Sequence, residues 1–224
     1  DLRTLKIKLC DFTHSSFIGS NMSGLNMKDN RFDNASFVEA NLNNVTLESL
    51  PKDINLKGTR MNSSLLKGGI QNKRSFTSTD FTGKNWENFD MKGKNFTNSA
   101  FPKNLIVRNR NLKNTIFDGV LFRNCSFVDC NLEGCSFVGI RVEDTILDLS
   151  GSNLKNAKLN GIDTSYIQLN DCNLAGAIFD RATMNNFDFS GKDLTDCSFV
   201  RTSLINCKWN NVFMSGTTFK HANL

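Results

Sequence analysis

The sequence is poor in the residues and patterns on which enzymes and membrane-spanning proteins depend. It has 2 prolines, 1 tyrosine, 2 tryptophans and 2 histidines. No apolar run reaches the roughly 18 residues of a membrane-spanning helix, and no signal peptide is predicted. His14 and His221 lie near opposite ends of the chain, so a Ser/His/Asp or Cys/His site is not expected. We therefore predict a protein that is not an enzyme, with no catalytic residue and no cofactor.

What the sequence has instead is a large hydrophobic residue at every fifth position, which we call the central position. The series begins at Leu2, is interrupted three times and ends at Leu224. A period of five fits neither an α-helix nor an open β-strand, but it fits a chain that turns a corner every five residues and returns over itself. The central positions group into fours, which predicts about 11 coils of about 20 residues.

Every fourth central position carries a similar residue, which predicts that like side chains stack from coil to coil. This register requires four extra residues within 48–55, one within 107–111 and two within 148–153. Successive coils are then expected about 4.8 Å apart, the spacing of paired strands. The predicted phenylalanine column, which also passes through Leu56 and Leu159, contains Phe12, Phe32, Phe76, Phe96, Phe117, Phe137, Phe179, Phe199 and Phe219.

Two residues before each central position, at what we call the i−2 position, the side chain is usually small. A large and a small side chain on each side would fill a narrow shaft without voids. A polar residue often separates them, as in Ala40-Asn41-Leu42, and such side chains hydrogen-bond backbone at turns. The middle of the chain departs from this pattern at four i−2 positions and one central position, namely Lys84, Phe89, Lys94, Asn104 and Gln71. Either these coils are distorted, or the two lysines extend their amines outward along the wall.

The pattern Ala-(Asp/Asn)-Leu-x-x resembles the pentapeptide-repeat family over nearly all 224 residues. The resemblance implies an all-β fold, the family's right-handed quadrilateral β-helix (a pentapeptide-repeat solenoid), with residues 1–224 as a single domain. The chain begins at Asp1 rather than Met and ends on a central position. We therefore expect an excised segment, or a solenoid whose caps lie outside it. An uncapped end leaves room for an end-to-end or homodimer contact.

All 7 cysteines fall at i−2 positions, where a free thiol acts as a compact apolar filler. Cys125, Cys130 and Cys135 are five residues apart, whereas zinc sites usually need pairs two to four residues apart. We predict reduced, buried thiols and no metal site. An odd number of buried cysteines also predicts folding in the cytosol.

Charge is the one hint of function, because the middle of the chain is strongly basic. Residues 52–113 carry thirteen basic and four acidic side chains, whereas 1–51 and 114–224 are slightly acidic and the whole chain is +5. This basic belt predicts either a surface for an acidic partner or a solvated surface without one. Its predicted contact residues lie outside the two inward positions and should face solvent: Arg60, Lys67, Lys73, Lys103, Arg108, Arg110 and Lys113.

We expect a protein-binding module, the interaction domain of a bacterial effector or regulatory protein, located in the bacterial cytoplasm or delivered into a host cell. The expected partner is a protein with an acidic surface, with nucleic acid or anionic lipid as alternatives. The resemblance also implies a second function, because some pentapeptide-repeat proteins imitate DNA and protect type II topoisomerases such as gyrase. Those proteins are strongly negative, so the net charge of +5 ranks this alternative second.

Overall fold

A computed structural model describes residues 7–47, 54–61, 75–82 and 89–224. Four of the residues discussed above, Lys67, Lys73, Gln71 and Lys84, lie outside the described residues. The predictions made for them therefore stay predictions. Within the described ranges the chain consists of short extended segments and turns, without a helix.

The five-residue period closes the backbone into coils with four sides. Parallel bridges occur at every fifth residue, and each joins a residue to one that lies about a coil later. In the first described coil these bridges are Asp11 with Arg31, Ser16 with Ser36, Asn21 with Asn41, and Asn26 with Thr46. Four bridges per 20 residues mean that each five-residue repeat forms one side of the coil.

At a few places the bridges lengthen into short strands. These are β1 (Ile106–Arg108), β2 (Leu121–Arg123), β3 (Ser126–Val128), β4 (Arg141–Glu143), β5 (Leu147–Asp148) and β6 (Ile167–Gln168). Strands β1, β3, β5 and β6 form one parallel sheet in that order, and β2 and β4 form a second. Each strand occupies one side of a coil, so the sheets are faces of the β-helix.

The central side chains point inward and stack on their own kind. The Phe76 and Phe96 rings lie with centroids 5.5 Å apart and planes 11° apart. The Phe179 and Phe199 rings are 5.2 Å and 9° apart. Rings on adjacent sides of a coil meet edge to face, as Phe76 and Phe81 do, so the shaft uses both favourable aromatic geometries. The predicted stacking is confirmed for these pairs.

The first interruption differs from the prediction, because the chain loses a residue there instead of gaining four. The bridges Ser36 with Asn55 and Asn41 with Arg60 join residues 19 apart, and the Phe37 amide donates to the Asn55 carbonyl at 3.3 Å. Leu56 therefore follows Phe37 in its column and not Phe32. Leu56 lies nine residues after the previous central residue. This spacing fits either two five-residue sides with one residue missing or one side with a four-residue insertion.

The predicted phenylalanine column is consequently wrong at its start. Phe12 and Phe32 stack on each other with centroids 5.4 Å apart. Phe17 and Phe37 form a separate stack, at 4.9 Å. The second stack, and not the first, continues through Leu56 toward Phe76.

The second interruption carries one extra residue as predicted, but earlier in the chain. Ile106, predicted to be central, is 63% exposed, and Val107 takes its place at 8%. The prediction that Asn104 occupies an i−2 position is therefore wrong. Asn104 lies in the preceding turn with φ of 63°, and Leu105 fills the i−2 position. The extra residue thus lies between Phe101 and Val107.

The third interruption also lies earlier than predicted. Leu147 and Leu149 are both fully buried, whereas Ile146 is 42% exposed. Leu147 is therefore an i−2 residue paired with a central Leu149, and the two extra residues lie between Val142 and Leu149. The bridge of Asn131 with Asn153 has the expected 22-residue spacing.

Polar i−2 side chains are satisfied inside the shaft by the backbone of the preceding coil. The Thr115 hydroxyl donates to the Met91 carbonyl at 2.8 Å, and Thr202 donates to the Phe179 carbonyl at 2.7 Å. Each accepting carbonyl belongs to a central residue about 23 positions earlier. The small column can therefore use Ser, Thr or Cys without leaving a buried polar group unpaired.

Lys94 occupies an i−2 position, and its amine does not extend outward. The residue is 5% exposed, and its Nζ lies 5.4 Å from the Phe89 ring centroid and 6.0 Å from that of Phe76. These distances are typical of a cation held over aromatic faces. The prediction of an outward-reaching amine is wrong for Lys94.

Contacts within the chain group into two compact units. One unit contains Asp1–Asp90 and Lys94–Pro102, and the other contains Met91–Gly93 and Lys103–Leu224. The stack from Phe17 to Phe96 lies within the first unit. The six strands lie within the second.

Candidate binding surface

At nearly every corner of the described coils, a residue with a left-handed backbone lies two positions after the central residue. We call this the turn position. Asn, Asp and Gly fill most of these sites, including Asn34 (φ 57°) and Asp129 (φ 54°). Glycine populates this region freely, and Asn and Asp tolerate it better than other residues. The positive φ at the turn position was not predicted from the sequence. The enrichment of Asn and Gly two residues after the central hydrophobic residues is the sequence feature that indicates it.

In the described part of the chain, buried side chains fill the interior of the coils. The rings of Phe37, Phe117 and Phe137 are fully buried, and the i−2 side chains fill the space between them. No group of three or more His, Cys, Asp or Glu residues that could hold a metal ion occurs among the described residues. Candidate functional residues are therefore those on the outer surface.

The 7 cysteines are free thiols, five of them buried, with Cys10 and Cys207 half-buried. Burial raises the pKa of Cys135 to about 12 and that of Cys172 and Cys197 to about 11. The Cys135 thiol donates to the Leu112 carbonyl at 3.0 Å, the interaction that hydroxyls make elsewhere in the same column. Thiols with such pKa values stay protonated at neutral pH and are poor nucleophiles and metal ligands.

The two histidines face outward, and both occupy turn positions. The φ angles are 60° for His14 and 59° for His221, and both residues are exposed. They lie in different units. Neither has a nucleophile of the kind that an acyl-transfer site requires placed against it by any described contact.

The described residues of the predicted basic belt differ in how freely they face solvent. Arg60, Lys103 and Arg108 are exposed, whereas Arg110 and Lys113 are half-buried. Arg110 lies two residues before the central Leu112, so it occupies an i−2 position. The prediction that Arg110 faces solvent from outside the inward positions is therefore wrong.

Two of the belt residues are already paired with acidic side chains. The Lys103 Nζ lies 3.2 Å from an Asp144 carboxylate oxygen, and the Lys113 Nζ lies 2.9 Å from Glu133. These contacts reduce the positive charge that the two lysines offer to a partner. Among the predicted contact residues, Arg60 and Arg108 are the exposed cations for which no ion pair is found within the described part of the chain.

A search of the described residues for a membrane-crossing segment finds no helix of sufficient length and apolarity.

Comparison with known proteins identifies the repeat. A family model described as pentapeptide repeats matches eight copies, at residues 10–48, 108–144, 148–191 and 197–224, together more than half of the chain. A search of curated proteins returns no significant match.

The solved structures that the search returns share little sequence with this chain. HetL, a pentapeptide repeat protein involved in heterocyst differentiation regulation from the cyanobacterium Nostoc sp., is 16% identical, covering 96% of this chain and 88% of its own, with a TM-score of 0.37. Full-length QnrB1, a plasmid-mediated fluoroquinolone resistance protein, is 17% identical, covering 91% of this chain and 90% of its own, with a TM-score of 0.30. Because the family model matches more than half of the chain and the described backbone forms four-sided coils, the chain belongs to the pentapeptide-repeat family and has its right-handed quadrilateral β-helix.

Proposed function

We propose that this chain is a non-enzymatic binding module that displays side chains to an acidic protein partner. The observation that carries the proposal is the filled interior of the described coils together with the basic outer surface of the described residues within 52–113. Arg60 and Arg108 are exposed, while the core around Phe37 and Phe117 is closed. Exposed cations that have no ion pair within the chain attract acidic partners.

The proposal includes the biological role and location that we expect from the sequence. The module would act as the interaction domain of a bacterial effector or regulatory protein, in the bacterial cytoplasm or after delivery into a host cell. Imitation of DNA remains the weaker alternative. A net charge of +5 has the wrong sign for it, and basic residues on the surface would repel a site that binds DNA.

The exposed belt cations can be tested by charge reversal. We expect the double variant Arg60→Glu/Arg108→Glu to lose capture of acidic proteins from a nuclease-treated bacterial lysate at low salt. High salt should have the same effect on the unaltered chain, because exposed charges are screened within about 8 Å at physiological ionic strength. Binding to duplex DNA and to phosphatidylglycerol vesicles is measured beside it, so that the class of partner is decided in the same experiment.

A matched control is Lys28→Glu/Lys158→Glu. Arg60 and Lys158 each directly precede a central residue, Arg108 and Lys28 each directly follow one, and all four are exposed. Each double variant also alters one residue in each unit and changes the net charge equally. If both variants weaken capture to the same degree, only the overall charge matters and the belt is not a binding surface.

A further inference from the structure

One corner of the second unit changes its chemistry over three successive coils. Along that corner the turn positions are first glycines, at Gly119, Gly139 and Gly161, each with positive φ. In the next three coils the same position carries cationic or ionisable side chains, Arg181, Arg201 and His221. Lys220, directly before His221, is also exposed.

This change is unfavourable for the backbone. Arg181 and Arg201 have φ of 61° and 59°, and a non-glycine residue in this region costs free energy that Asn or Gly largely avoids. Among the described residues, arginine occupies a turn position at these two sites only, whereas Asn, Asp or Gly occupies most others. Residues held in sparsely populated backbone conformations cluster at active sites and ligand-binding sites.

The side chains border a shallow groove with a volume of about 220 Å³. It is lined by Asp180, Arg181, Val200, Arg201, Lys220 and His221. The one carboxylate is engaged, because Asp180 Oδ1 accepts from the Ser198 hydroxyl at 2.5 Å and from the Val200 amide at 3.1 Å. Among the described residues no ion pair is found for Arg181, Arg201 or Lys220, so the groove is electropositive.

We propose that this groove binds a phosphate dianion, free or as a monoester. Coils repeat about every 4.8 Å, so guanidinium groups from successive coils can bind different oxygens of one compact anion. Arginine forks suit this task because they donate two parallel hydrogen bonds to phosphate oxygens. A volume of about 220 Å³ is below the range of roughly 300–1,000 Å³ for drug-sized ligands, which favours a single charged group.

The site is separate from the basic belt, and the two histidines of the chain allow a direct test because only one of them borders the groove. His221 borders the groove, whereas His14 has the same turn conformation in the first unit, beside the acidic Asp33 of the following coil. We expect inorganic phosphate to shift the ring resonances of His221 in an NMR titration and to leave those of His14 unchanged. Sodium chloride at equal ionic strength should shift neither.

The variant Arg181→Asn/Arg201→Asn removes both guanidinium groups and places a residue suited to positive φ at each site. We expect it to weaken phosphate binding by about tenfold or more, the effect of losing charge-assisted hydrogen bonds, and to raise the melting temperature. The control Arg141→Gln alters an exposed arginine on β4, away from these turn positions, and should change neither property. A purely structural role for the arginines predicts the reverse, a lower melting temperature and no change in phosphate binding.

A phosphoserine peptide, its unphosphorylated form and phosphatidic acid vesicles identify the source of the phosphate. Tighter binding of the phosphopeptide than of inorganic phosphate would indicate a phosphorylated protein, and vesicle binding would indicate a lipid headgroup. Binding of inorganic phosphate alone would indicate the free ion. Equal shifts of both histidines, no shift of His221, or a shift that survives in the double variant would each overturn the proposal.

Discussion

At the scale of single residues, the fold depends on the ring at the central position. Phe137 is fully buried, and its ring stacks on Phe117 with centroids 5.2 Å apart. Phe219 also stacks, on Phe199 at 5.3 Å, but it is half-buried. The same residue type at equivalent positions therefore removes different areas from water.

We expect Phe137→Ala to lower the free energy of unfolding by about 3–5 kcal/mol, because it removes a packed ring and leaves a cavity. Phe219→Ala should cost clearly less, since part of that ring already contacts water. Denaturant unfolding followed by circular dichroism measures both values. Equal losses for the two variants would contradict the burial pattern.

Much of the residue pattern could be predicted from the sequence, because volume and polarity decide it. The central and i−2 positions of residues such as Phe137 and Cys135 follow directly from the period of five. The backbone conformation at the turn position does not, because hydrophobicity carries no information about the sign of φ. The prediction for Arg110 is wrong because i−2 side chains are usually small, so a long charged side chain is not expected at an i−2 position.

At the scale of the coil, the sequence gives the number of sides but not the place of an irregularity. Hydrophobic spacing alone cannot decide whether Ile106 or Val107 faces the core, because both are apolar. Packing and backbone pairing decide it: Val107 pairs in register with Phe127 of β3. The gap before Leu56 is a similar case, where two registers preserve the hydrophobic pattern and only one preserves a continuous ladder with Asn41.

The column of i−2 residues makes stability depend on pH in alkaline solution. Burial raises the pKa of the Cys135 thiol from its ordinary 9.0 to about 12. As the pH rises, the unfolded chain loses this proton first, so the folded state then binds more protons than the unfolded state. The free energy of unfolding should therefore be unaffected by this group below pH 9.0 and fall between there and about 12.

We expect Cys135→Ser to reduce this alkaline loss, because serine does not titrate in that range and its hydroxyl can donate to the Leu112 carbonyl, as Thr115 does to Met91. Urea unfolding of the variant and the unaltered chain at several pH values above neutrality measures the difference. Stability at neutral pH should change only modestly. Identical pH profiles would show that the Cys135 thiol is not protected from ionisation by the fold.

At the scale of the whole molecule, the repeat produces contacts that are almost all between coils. Such solenoids are stabilised by each repeat and its neighbours, and long arrays can lose cooperativity. The sequence predicted a single domain over residues 1–224, while contacts group into two units divided near residues 90–103. Whether the units unfold together is therefore a property that can be measured.

The single-domain prediction requires both units to unfold in one transition. Trp209 reports on the second unit, because its indole stacks on Phe189 with centroids 4.5 Å apart, and a Trp86→Phe variant makes it the sole tryptophan. Hydrogen exchange of the Ala35 and Ala40 amides, which donate to Phe32 and Phe37 carbonyls, reports on the first unit. We expect the denaturant midpoint for Trp209 fluorescence and that for exchange of these amides to coincide. Two separated midpoints would show instead that the chain contains two independently folding domains.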